Sequence, residues 1–112
     1  MSKDFNEQWQ QLEAFLEERF EKTPDTQAIL YLIGINEYQG RIPKIKFSKE
    51  QKQELMHVGL CTLLCIDDYY ALSHYDDEGW PHFVAIKNVD AKEFESQDLL
   101  IKKLMLKYFN FD

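Results

Sequence analysis

The chain has 112 residues, 45% of them hydrophobic and 14% aromatic, which is enough for one domain to bury a core without metal or disulfide staples and excludes disorder for most of its length. Thirteen Lys and Arg stand against 20 Asp and Glu, a formal net charge of -7. Neutralising phosphate takes clustered basic side chains, so this balance argues against nucleic acid and anionic membranes as partners.

A single domain over residues 1–112 is expected. Its first helix is predicted from about Asp4 to Lys22. Asp4 with Glu7 forms a capping-box pattern, and Phe5, Trp9, Leu12, Leu16 and Phe20 recur at helical spacing as one apolar stripe. The acidic start, with Glu13, Glu17 and Glu18 and no secretory-type apolar run, makes a cytoplasmic location the expectation. Thr23-Pro24 ends this helix, with Pro24 placed to open the next one, which runs to Tyr38. Its Ala28–Ile35 run is apolar on nearly every side, so a buried strand stays open as an alternative to a buried helix. At eight residues the run falls far short of the roughly 20 that span a bilayer. Gly34 in mid-helix costs about 1 kcal/mol relative to Ala unless another backbone packs there, and the third helix is the expected neighbour.

A basic connector, Arg41 to Phe47 with Pro43 inside it, leads to a second capping box at Ser48 and Gln51. The third helix is predicted to reach about Ile66, polar in its first two turns and apolar in its last three. Tyr69–His74 and His82–Lys87 read as short strands joined through Asp76-Asp77-Glu78-Gly79, a turn suited to a hairpin. Ser96 is placed to cap a final helix with Leu100, Leu104 and Tyr108 on one face and Ile101, Met105 and Phe109 beside it. The fold class is therefore mainly α, a compact bundle of about four helices with a short β-hairpin between helices three and four. This α+β order is also compatible with a winged helix.

Three groups of side chains stand out as candidate sites. Glu37, His57 and His82 would form a metal site or an acid–base pair if antiparallel packing brings them together, the alternative being polar boundary residues satisfied locally. Tyr69, Tyr70, Tyr75, Trp80 and Phe83 would line an aromatic groove for a peptide or small molecule, or else cover the hairpin's inner face. Cys61 and Cys65 lie four apart after His57, all on one side of a helix. Two thiols so placed fit reduced, buried cysteines better than a zinc site, which usually takes closer pairs and a second pair elsewhere. The acidic turn fails as a calcium loop, because an EF-hand register with Gly79 at the sixth position ends at Ala85, without a carboxylate.

Leu55-Met56-His57, Cys61, Leu63-Leu64, Tyr69-Tyr70, and Asp76 with Gly79-Trp80-Pro81-His82 together resemble a family of short bacterial proteins, over about Gln27 to His82. Asp68 departs from that pattern, standing where a turn glycine is expected. The resemblance implies one cytoplasmic bacterial domain and transfers no activity, cofactor or site residue. The functional expectation is thus a non-enzymatic binding or assembly module with a protein or small molecule as partner and no cofactor. Self-association is suggested by the apolar end Tyr108-Phe109-Asn110-Phe111. A metal-dependent protein using Glu37, His57 and His82 is the alternative. A winged-helix regulator is disfavoured by the acidic wing tip and the apolar third helix.

Overall fold

The computed structural model describes residues 4–41, 46–87 and 97–112. Among them run α1 (Phe5–Phe20), α2 (Thr26–Glu37), α3 (Lys49–Ile66), β1 (Tyr70–Tyr75), β2 (Pro81–Ala85) and α4 (Gln97–Tyr108). The expected order of three helices, a hairpin and a helix is the observed one. No described helix is long and apolar enough to cross a membrane.

Local chemistry sets the helix starts. The Asp4 carboxylate accepts from the Glu7 amide at 2.8 Å, and Ser48 with Gln51 forms the complete capping box that the sequence suggests. At α2 the cap is Asp25, whose carboxylate accepts from the Ala28 amide at 2.8 Å. Pro24 therefore precedes the cap and does not open the helix, because a carboxylate that satisfies an orphan amide competes better for the boundary. The Ala28–Ile35 run is helix throughout, which decides the choice left open between helix and strand. The cap expected at Ser96 and the proline of the basic connector lie outside the described residues.

The backbones of α2 and α3 cross in close contact. A Cβ on Gly34 would fall on the backbone carbonyl of Leu55, and one on Gly59 on that of Leu30. Two glycines, one per helix, thus form a reciprocal notch, and the pairings 34–55 and 30–59 make the helices antiparallel. Around the notch, Leu12, Leu16, Ile29, Ile33, Leu63, Leu104, Met105 and Leu106 form the buried core, so all four helices contribute. Leu106 lies outside the stripe expected for the last helix but is 2% exposed.

Asp68 takes the left-handed conformation itself, at φ 62. The Asp68 amide donates to Cys65 at 3.2 Å and the Tyr69 amide to Leu64 at 3.0 Å, which closes α3 in a Schellman motif. That closure turns the chain directly into the hairpin. β1 and β2 pair antiparallel, with Tyr70 opposite Ala85 and Leu72 opposite Phe83, and a bulge between Leu72 and His74 then sets His74 opposite His82. The strands begin and end one or two residues from their predicted bounds, because the Schellman turn uses Tyr69 and the ladder continues to Tyr75.

Candidate functional site

A cleft of about 700 Å³ lies between the polar first half of α3 and the hairpin turn. Glu50, Gln53, Glu54 and His57 line its helical wall. Their spacing of three, one and three residues keeps them on one face of α3, which the capping box at Ser48 anchors. Asp76, Glu78, Trp80, Pro81 and His82 line the opposite wall, and Val58 completes the lining.

Asp76 organises the hairpin wall. Its Oδ1 accepts from the amides of Glu78 at 2.9 Å and Trp80 at 3.0 Å, and its Oδ2 lies 2.9 Å from His82 Nε2. The Gly79 amide donates to the Asp76 carbonyl at 3.0 Å, and Gly79 takes φ 90, which a side chain would strain. This is the three-residue hairpin loop built on a type I turn with glycine in the left-handed position. The His82 hydrogen bond, followed by the Trp80 amide, holds the Asp76 carboxyl below its usual 3.8. His74, brought opposite by the bulge, stacks on His82 with ring centroids 4.7 Å apart and planes within 1°.

The turn is also tied to the end of α2. The Gln39 amide donates to the Gly79 carbonyl at 2.9 Å, and the Trp80 ring lies 4.6 Å from that of Tyr38. Buried Phe47 meets the Tyr38 and Tyr31 rings edge-on. The hairpin wall is thereby fixed against the helical layer, so the cleft is a preformed feature.

His57 and His82, two of the three residues in the polar constellation, share this cleft. Glu37 is not among its lining residues; it accepts a hydrogen bond from the Tyr108 hydroxyl at 3.0 Å, tying the end of α2 to the end of α4. Among the described residues no group of three His, Cys, Asp or Glu is placed to hold a metal ion. The five aromatics do not share one groove. Tyr69 is buried beneath the Lys87 ammonium; Tyr70 and Phe83 face His57 and Cys61; Tyr75 and Trp80 line a depression beside Tyr38 and Gly40.

His57 Nε2 lies 3.5 Å from Cys61 Sγ, a Cys–His contact of the kind nucleophilic enzymes use. Its electrostatics are opposite to theirs. Burial, with Cys65 adding to it, pushes the Cys61 thiol up to about 11, so the sulfur stays protonated near neutral pH. Burial raises Cys65 as well, with Asp68 and Glu37 contributing, and both cysteines are free thiols.

Sequence reasoning missed Asp76 as the partner of His82, and Glu50 and Glu54 as companions of His57. The signals were present. An Asp opening a turn that closes on Gly is a known side-chain acceptor for amides two residues on, and Glu50, Glu54 and His57 follow a helical-face spacing. Compared with family models, curated protein sequences and solved structures, the chain matches none.

Proposed function

We propose that this chain is a non-catalytic binding module whose site is the cleft between α3 and the hairpin, and whose ligand is a basic, partly apolar segment of a partner protein. The observation that carries this reading is the composition of the cleft. Glu50, Glu54, Asp76 and Glu78 line it together with His57 and His82, and no Lys or Arg is among the described residues lining it. Trp80, Val58 and Pro81 add apolar surface among those charges. A Lys or Arg side chain satisfies both parts, its ammonium or guanidinium meeting carboxylates while its stem covers apolar surface. The overall charge of -7 steers such a ligand inward and repels an acidic one.

The test is a fluorescence titration of Trp80, with Trp9 replaced by Phe, using a short Lys- and Leu-containing peptide and its Glu-substituted counterpart. Saturable binding of the basic peptide alone, weakening as salt rises, is the expected result. Replacing both Glu50 and Glu54 by Gln should weaken it roughly 2- to 30-fold, since exposed charge pairs contribute about 0.2–1 kcal/mol each. Equal binding of both peptides, or none at millimolar concentration, contradicts the reading.

A further inference from the structure

We infer that two copies of this chain pair through their β2 strands, edge to edge about a two-fold axis, to form a four-stranded antiparallel sheet. The interface shares Pro81 and His82 with the cleft, at one end of β2, and its pairing residues Phe83, Val84 and Ala85 lie outside it.

The described sheet has two strands, so each has an edge unpaired by any described residue. Proteins blunt such edges with bulges, prolines and charges. The bulge here lies on β1, between Leu72 and His74, and bends that strand's outer edge. β2 has no such device between Pro81 at its start and Lys87 just past its end. Its open edge is therefore the regular one.

The ladder shows which backbone groups that edge offers. The Ile86 amide donates to the Tyr69 carbonyl at 2.8 Å, and the alternation of an antiparallel pair then directs Val84 towards Ala71. The amides and carbonyls of Phe83 and Ala85 face the open edge. Pro81 occupies the same outward phase, where its missing donor forfeits no bond to β1. A two-fold axis at Val84 pairs Phe83 of one copy with Ala85 of the other, twice, and leaves Pro81 outside the exchanged bonds.

Self-complementarity of the edge, with no charge on either strand to oppose it, favours a second copy as the occupant. Residues 69–75 and 80–86 contain no Asp, Glu, Lys or Arg, in a chain that is 29% charged with a net charge of -7. Two such chains repel over most of their surface, the hairpin's own Asp76-Asp77-Glu78 turn included, and the uncharged strands are where they can approach without opposing carboxylates. Val84 and Ile86, 51% and 58% exposed, supply the apolar area that such a pairing would cover. An antiparallel edge is complementary to itself under a two-fold, as a symmetric dimer requires.

The experiment is sedimentation equilibrium of the full chain from about 1 to 500 μM, chosen to bracket the affinity of a small interface. The expected result is a concentration-dependent rise from 13.4 kDa towards twice that mass. Val84→Lys, at an exposed site, should weaken association by on the order of 100-fold, because two like charges then meet at the axis. Leu72→Lys, on the bulged edge, should leave it unchanged. Val84→Cys should give an interchain disulfide on mild oxidation, since the axis brings the two Cα atoms to about 4.5 Å. A strict monomer at the highest concentration overturns the inference, as does a dimer dispersed by the Leu72 variant and not by the Val84 variant.

Discussion

Asp68 bears the left-handed conformation that ends α3, at φ 62, with a Cβ that opposes it and a carboxylate facing the negative end of the helix dipole. Glycine removes both penalties. Asp68→Gly is therefore expected to stabilise the fold by roughly 1 kcal/mol, read as a higher urea midpoint at unchanged m-value. A lower midpoint would show that Asp68 makes a compensating contact. Tyr108 is the second informative residue. Burial is the main cause that lifts its phenol to about 12, and the Glu37 carboxylate that accepts its hydrogen bond adds to the rise while Asn36 opposes it. A phenol raised in the fold contributes stability that is complete below about pH 10, its unfolded value, and is lost as pH climbs towards 12. Ultraviolet titration should show a tyrosine step about two pH units late, and Tyr108→Phe should abolish that step while flattening the alkaline loss of stability. A titration without a late step, or a late step that survives in Tyr108→Phe, would contradict this assignment.

The elements were legible where local chemistry and periodicity agree. The α1 stripe and the two boxes at Asp4 and Ser48 point to the helices that form. The Asp76–Gly79 turn likewise contains the residues that its geometry demands. α2 was ambiguous because a segment buried on most sides loses the period that separates helix from strand. Gly34 was read as a contact point for α3, but its counterpart Gly59 was not, since the reciprocity of two backbones exists only in three dimensions. Gly34→Ala gains about 1 kcal/mol of helix propensity, yet the Cβ would meet a backbone carbonyl that no rotamer change can move. Overpacking of this kind should win, leaving a net loss of roughly 2 kcal/mol by denaturant unfolding. A gain in stability would mean that α2 and α3 separate freely.

At the scale of the whole molecule, composition conveyed the charge but not its arrangement. Glu50, Glu54 and His57 are close in sequence, whereas Asp76 and His82 reach them only because the Schellman turn at Asp68 folds the hairpin back along α3. That return path is tertiary, and so the constellation visible in sequence was incomplete. It paired His57 with His82 but included Glu37, which instead joins Tyr108 on α4. The bulge that sets His74 on His82 was equally hidden, because one extra residue leaves no mark in an apolar alternation. The resulting molecule separates an acidic cleft from a neutral strand edge, two surfaces suited to different partners. The cleft is the central claim, and the most direct measurement is an amide and indole NMR map of the uniformly labelled chain titrated with the basic peptide. The account predicts shifts confined to Glu50–Val58 and Asp76–His82, with the Trp80 indole among the largest, and their loss at high salt. Shifts centred on α1 or α4, or a spectrum unchanged by the peptide, would contradict it.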